Sequence, residues 1–250
     1  MKRMPNIDLT KEEYIEIQKR KVAEGGEAII CRSFSEDTLY KLFVDFRRNL
    51  VSMSDNKYNK VVGIHQKNLE SCVRPLSTIS YDGKVVGYET TWDKYDVGLD
   101  MLTNLSRKET IKVLRSLKNI LVYLDSKDIT YGDIKEDNIL FNLKTHQIKL
   151  CDIDNVRLGD YPVDLRNFSL NKYYQSRGEI DAGADAYMHN LLTIRNLYYQ
   201  NPYIYDTDII RDLRNEIYPT KFKEGAIPIF ASMPDLEKFN GEYVIDYIKR

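Results

Sequence analysis

Asp133, Lys135, Asn138 and Asp152 are the residues of this 250-residue chain whose types and spacing could do chemistry. They lie in two stretches, Tyr131-Gly132-Asp133-Ile134-Lys135-Glu136-Asp137-Asn138 and Asp152-Ile153-Asp154. Asn138 stands five residues past Asp133, and Asp152 fourteen past Asn138, with two strand-forming runs (138–142 and 147–151) that predict a β-hairpin between them. Carboxylates and carboxamides are the hard oxygen donors that Mg²⁺ takes, and a carboxylate beside a hydroxyl can accept its proton. The plainer reading is an acidic turn, because Asp and Asn favour turns through their own side-chain hydrogen bonds. Agreement of separated elements in both order and spacing favours chemistry.

This arrangement resembles the catalytic core of the protein-kinase-like family. Residues 131–138, Y-G-D-I-K-E-D-N, stand where that family has H-R-D-L-x-x-x-N, and residues 152–154, D-I-D, where it has D-F-G. The resemblance spans residues 24–192 and is strongest over 131–154. It implies an α+β, bilobal protein-kinase-like fold. Residues 1–90 would form a small, nucleotide-covering lobe of antiparallel sheet with one helix, and residues 91–250 a mainly helical lobe carrying the catalytic and metal-binding loops. The implied cofactors are ATP and Mg²⁺. Asp133 would orient or deprotonate the acceptor hydroxyl, Lys135 would set positive charge beside the transferring phosphoryl group, and Asn138 and Asp152 would ligate the metal.

Upstream, Gly25-Gly26 ahead of Ala28-Ile29-Ile30 resembles a shortened phosphate-covering glycine loop. Lys41 stands where the family keeps the strand lysine that reaches the α- and β-phosphates. Residues 89–92, Glu89 and Thr91 among them, fall at the hinge whose backbone holds adenine. Downstream, Asp185 lies thirty-three residues past Asp152 and resembles the helix Asp that accepts hydrogen bonds from the catalytic-loop backbone.

The chain departs from the family pattern in four places. Tyr131 and Gly132 replace His and Arg, so no loop arginine can pair with a phosphorylated segment, and control by access or by a regulatory partner protein is expected instead. Ile153 and Asp154 replace Phe and Gly, removing the glycine of an easy backbone flip. The helix expected to supply a glutamate partner for Lys41 carries Lys57 and Lys60, with no Glu before Glu70. No A-P-E signature follows the second motif.

Three functions remain in play. Lys135, Asp185 and the lack of a large insertion favour transfer to a protein Ser or Thr. Gly132, with the Gly159-to-Leu165 stretch, loosely resembles the H-G-D and G-D-P-x-x-D motifs of small-molecule phosphotransferases acting on aminoglycosides or choline. A pseudokinase serving as a binding module is the third.

Elements must position these residues. Residues 8–23 have a helical background ending at a glycine pair; 28–31 and 38–43 read as a hairpin; 56–72 read as a helix capped at Ser54-Asp55 and ended by Pro75. Residues 77–81 and 84–88 flank Asp82-Gly83, a strong hairpin signal. Residues 103–125 place Leu and Ile at helical spacing, and further helices are expected over 185–200, 206–217 and 241–249.

With 37 Lys+Arg against 38 Asp+Glu, the chain has no overall field to hold nucleic acid or an anionic membrane, so neither is an expected partner; ATP and a protein substrate are. No apolar run approaches the roughly 20 residues that span a bilayer, no secretion signal is visible, and Cys31, Cys72 and Cys151 share no metal-ligand spacing. A soluble cytoplasmic protein with free thiols is expected.

Overall fold

The computed structural model describes residues 4–92, 97–98, 105–142, 144–145, 147–163, 168–199, 204–220 and 222–248, except for the side chains of Val97, Glu136, Phe168 and Leu170. Its contacts divide the chain into two units, Met1–Lys94 and Tyr95–Arg250.

The first unit is a six-stranded sheet with two helices. Its strands are β1 (Asn6–Leu9), β2 (Lys21–Glu24), β3 (Ala28–Arg32), β4 (Thr38–Phe43), β5 (Pro75–Tyr81) and β6 (Lys84–Thr91), in the order β1-β5-β6-β4-β3-β2. The expected hairpins form: β3 pairs with β4, placing Lys41 opposite Ile30, and β5 turns into β6 through Asp82 (φ 50°) and Gly83 (φ 70°). Two successive left-handed residues match the right-handed twist of the strands they join.

Residues 8–23 do not form one helix. Asn6–Leu9 pairs in parallel with β5, Thr10 caps a short helix α1 (Lys11–Gln18) through a reciprocal box with Glu13, and Lys21–Glu24 returns as an edge strand on β3. Strand pairing with residues seventy positions away outweighs local helix propensity here. The unit therefore has two helices rather than one, and one parallel pair in an otherwise antiparallel sheet.

Helix α2 (Asp55–Lys67) starts at Ser54, as expected, but stops at Asn68, whose left-handed backbone (φ 48°) ends it well before Pro75. One core contains Ile17 of α1 with Leu9, Ile29, Cys31, Tyr40, Leu42, Ile79 and Val86. Alternation along β4 therefore sends Lys41 to the opposite face from Tyr40 and Leu42. Gly87 lies opposite Leu42, and a Cβ there would collide with the Lys41 carbonyl, so the close approach of β4 to β6 requires glycine.

The second unit is mainly helical. Its strands are short: β7 (Val97–Gly98), β8 (Ile129–Thr130), β9 (Ile139–Phe141), β10 (Ile148–Leu150) and β11 (Arg157–Leu158). β9 and β10 form the expected hairpin, β7 adds to β9, and β8 pairs with β11. Helix α3 (Arg107–Asp125) starts at a Ser106–Glu109 capping box and buries Val113, Leu114, Leu117, Leu121 and Leu124. Helices α4 (Phe168–Arg177), α5 (Ala182–Ile194), α6 (Asp206–Arg214) and α7 (Ile227–Ser232) follow.

Every residue of α5 from Ala184 to Ile194 is buried, the mark of a helix enclosed on all sides. Its polar side chains are paired: Asn190 bridges the Glu242 carbonyl and the Val244 amide, and His189 Nε2 donates to the Leu114 carbonyl. The helix expected over 185–200 thus begins earlier and passes into a π-turn at Arg195–Tyr199, with Gln200 outside the described residues. Of the helix expected over 241–249, residues 241–248 show only a 3₁₀ turn, Val244–Tyr247, with the Glu242 carbonyl and the Val244 amide taken up by Asn190; Lys249 lies outside the described residues. Among the described residues, no helix is long and apolar enough to cross a membrane. None of the three cysteines is in a disulfide, and burial pushes the Cys31 thiol up to about 11.

Candidate active site

The second unit gathers Asp133, Lys135, Asn138 and Asp152. The chain leaves β8, crosses Tyr131 to Lys135 without regular structure, makes one 3₁₀ turn at Glu136–Asn138 and enters β9; β10 then brings it back to Cys151 and Asp152. The ladder extends one residue beyond the hairpin, since the Cys151 amide donates to the Asn138 carbonyl at 2.9 Å. Asp152 then takes a left-handed backbone (φ 54°), and the pairing ends.

Side-chain bonds hold this loop. Asn138 Nδ2 donates to the Asp133 carbonyl at 3.0 Å and to Asp133 Oδ2 at 2.7 Å. With its nitrogen committed, Asn138 offers its amide oxygen, Oδ1, as an acceptor. Lys135 Nζ lies 3.0 Å from Asp133 Oδ2. Burial pulls the Lys135 ammonium pKa down, but the Asp133 bond and the charges of Asp133, Asp152 and Asp137 outweigh it, leaving a net rise. Lys135 is therefore a cation at neutral pH, placed among three carboxylates.

Asp185, fully buried at the start of α5, anchors the loop from beneath. Its two carboxylate oxygens accept from the Tyr131 amide at 2.8 Å and the Gly132 amide at 2.7 Å. Burial raises its pKa to about 7 against the opposing pull of those two bonds. Gly132 has φ 76°, so the position that replaces an arginine of the family motif needs glycine for its backbone. Ile153 and Asp154 are each 1% exposed and anchor the following turn in the interior.

Tyr131 and Glu27 do more than their sequence positions suggested. Tyr131 counted only as a lost histidine, yet its buried hydroxyl lies 2.6 Å from the Cys151 carbonyl and 3.1 Å from that of Asn138. A tyrosine in a loop gives no sequence signal for bonds seven and twenty residues away. Glu27, just before β3, meets Lys57 of α2 at 3.1 Å.

In the first unit, Lys41 is 8% exposed and its Nζ lies 5.7 Å from the Phe43 ring centre and 5.9 Å from that of Tyr88. Lys57 Nζ lies 5.0 Å from the same Phe43 ring. Gly25 and Gly26 form the β2–β3 turn, closed by the Gly25 amide on the Ala28 carbonyl and fastened by Arg48 on the Gly25 carbonyl and on Glu24. A Cβ at Gly26 would meet open space, and at Gly25 only the Ala28 carbonyl at 3.8 Å, so the turn itself would accept side chains.

Glu89 and Thr91 lie in β6. The Glu89 carboxylate accepts from the Thr38 hydroxyl, and the amides of Thr91 and Trp92 donate to the carbonyls of Arg74 and Asp37. Those two amides are engaged inside the unit. Of the G-D-P-x-x-D-like stretch, Gly159 takes φ 53°, while Asp164 and Leu165 lie outside the described residues.

The structure of the Cydia pomonella granulovirus kinase PK-1 matches this one with a TM-score of 0.64 and 13% identity, covering 94% of this chain and 95% of that chain. The fold is protein-kinase-like. No protein-family model and no curated protein matches the sequence. At this identity the kinase-like fold says how the backbone runs, and the chemistry must be argued from the side chains.

Proposed function

We propose that the chain is an ATP- and Mg²⁺-dependent phosphotransferase that moves the γ-phosphoryl group to a Ser or Thr hydroxyl of a protein. The observation that carries this reading is the bonded group Asp133–Lys135–Asn138, steadied by Asp185 within a kinase-like fold. Asp133 would take the proton of the acceptor hydroxyl. Lys135, held charged by its carboxylate neighbours, would stabilise negative charge developing on the phosphoryl oxygens.

The donor chemistry fits Mg²⁺. Asn138 Oδ1 and the Asp152 carboxylate are hard oxygens, which suits an ion bound by one or two protein oxygens with substrate phosphates completing its shell. When bound, the ion would neutralise phosphate charge.

In the first unit, Lys41 would contact the α- and β-phosphates, and the turn at Gly25 and Gly26 would cover the phosphates, with the Gly26 amide rather than the engaged Gly25 amide facing them. Adenine would lie against the end of β6, at Glu89 and Thr91, through groups other than the engaged Thr91 and Trp92 amides. Control would act through access or a partner protein.

Gly132 favours a second reading. Its left-handed backbone suits a Tyr-Gly-Asp loop equivalent to the His-Gly-Asp of small-molecule phosphotransferases. Incubation with labelled ATP, Mg²⁺, extract proteins and a panel of small alcohols and aminoglycosides decides between them. Label on protein supports the first reading, label on small molecules alone the second, and no transfer with retained nucleotide binding a pseudokinase.

A further inference from the structure

Gly26 stands where its own turn does not need a glycine. Neither Gly25 nor Gly26 has a positive φ, and a Cβ at Gly26 would meet nothing within 4 Å. A bare backbone beside open space suits a group that approaches from outside, and the donor it offers is the Gly26 amide, which has no partner among the described residues. Two glycines in succession also leave the peptide between them easy to turn over. The peptides on either side are fixed: the Gly25 amide donates to the Ala28 carbonyl at 2.9 Å, and the Glu27 carbonyl accepts from the Val44 amide at 2.8 Å. The Gly25–Gly26 peptide, whose N–H is the donor in question, needs a holder of its own.

Arg48 holds it. Its Nη1 donates to the Gly25 carbonyl at 2.9 Å while Nη2 lies 2.6 Å from Glu24 Oε1, so the guanidinium fork is braced against the strand that enters the turn. No cis peptide occurs among the described residues, and in a trans peptide the C=O and the following N–H point in opposite directions within one plane. Holding the Gly25 oxygen therefore fixes the direction of the Gly26 N–H, away from Arg48. Arg48 is itself held in an unfavourable conformation, a left-handed backbone with φ 66°. Its amide donates to the Asp45 carbonyl at 3.0 Å, and the Asp45 carboxylate takes the amides of Arg47 at 2.8 Å and Asn49 at 2.9 Å. The residue that carries this strain is the one that reaches the turn twenty-three positions away.

We infer that Arg48 is a positioning residue for the nucleotide phosphates: by holding the Gly25 carbonyl it presents the Gly26 amide as a pre-set donor to a phosphate oxygen. This rests on the phosphotransferase reading, in which the Gly25-Gly26 turn covers the phosphates. A donor fixed before the ligand arrives binds it more tightly than one that must be ordered on binding. The Arg48 and Glu24 side chains are 47% and 31% exposed, so water weakens the brace and its removal is worth about three- to fivefold in affinity.

The test compares wild-type chain, Arg48→Met and Arg47→Met, the last removing the same charge from a side chain that lies over the Phe46 ring instead. Nitrogen-15 relaxation reads the order parameter of the Gly26 N–H in the nucleotide-free chain, and calorimetry in Mg²⁺ reads the affinities of a non-hydrolysable ATP analogue and of adenosine. Arg48→Met is expected to lower the Gly26 order parameter from the roughly 0.85 of rigid backbone to below about 0.6. It is expected to weaken the analogue about three- to fivefold and adenosine less than twofold, with Arg47→Met matching wild type throughout. An unchanged order parameter, or analogue affinity within twofold of wild type, overturns the inference. So does an equal loss of analogue and adenosine, which general loosening of the fold would produce, or an equal loss in Arg47→Met, which bulk charge would produce. Far-UV circular dichroism checks folding, and if Arg48→Met is partly unfolded, Arg48→Gln takes its place under the same criteria. A wild-type chain that does not bind the analogue overturns the phosphotransferase reading itself and the inference with it; wild-type binding with no effect of Arg48→Met overturns the inference alone.

Discussion

Asp185 and His189 lie one turn apart on the buried helix α5, and replacing each in turn should expose opposite pH dependences that nearly cancel in the intact chain. Burial raises the Asp185 carboxyl from 3.8 to about 7, with Asp125 adding to the rise and Arg157 opposing it. Between those values the folded chain holds a proton that the unfolded chain has released, so stability falls as pH rises, tenfold in the folding constant per pH unit for one proton. Below the lower value and above the upper one, this contribution is flat. Burial lowers His189 from 6.5 to about 4, against the bond to the Leu114 carbonyl and the charge of Asp246, with Lys118 reinforcing the fall. There the unfolded chain holds the extra proton, so stability rises with pH and levels off once the unfolded imidazole is neutral.

Over the overlap the two slopes oppose each other. Asp185→Asn should leave the His189 slope uncompensated: relative to wild type, its folding constant should rise about twentyfold between pH 5 and pH 6.5. His189→Gln should fall by a similar factor over the same interval. A pH-independent loss accompanies Asp185→Asn, because an amide has one acceptor oxygen for the two N–H groups of Tyr131 and Gly132; an unsatisfied buried donor costs about 1–3 kcal/mol. Urea unfolding followed by circular dichroism from pH 5 to pH 8 reads both effects, and differences between variants remove contributions common to all. If the difference between wild type and Asp185→Asn stays constant across that range, Asp185 does not titrate as its burial requires, and the reasoning is wrong.

Asp152→Ala should abolish Mg-ATP-dependent turnover, whereas Asp133→Ala should leave nucleotide binding nearly intact and slow the chemical step by about 10²–10⁴-fold, as calorimetry and single-turnover kinetics would show. Gly132→Ala should destabilise the chain by about 1–2 kcal/mol in urea, because φ 76° becomes unfavourable once a Cβ is present. Gly87→Ala should destabilise it by about 1–3 kcal/mol by pushing a methyl against the Lys41 carbonyl; an unchanged unfolding midpoint would show that β4 and β6 separate freely.

The sequence alone determined the local pieces. Thr38–Phe43 and Ala28–Arg32 carry enough strand-forming residues to pair across a short loop, and Asp82-Gly83 specifies a tight turn because two adjacent residues must tolerate positive φ. The intervals from Asp133 to Asn138 to Asp152 were legible through their resemblance to the kinase-like motifs, and the second of them is bridged by the short hairpin β9–β10 that strand-forming runs already indicated.

Only the tertiary structure decided the rest. Asn6–Leu9 became a strand because β5 offered it a free edge, and the Glu242 carbonyl and Val244 amide found their partner in Asn190 rather than in a helix. The two-residue ladder of β8 on β11, the Glu27–Lys57 pair and the two bonds of the Tyr131 hydroxyl join residues between seven and thirty positions apart. Their partners come within reach only after the chain has packed. A hydrogen bond or ion pair acts over a few ångströms, so residue types along the sequence can show what a side chain is able to do, while the folded backbone decides which carbonyl or carboxylate it meets.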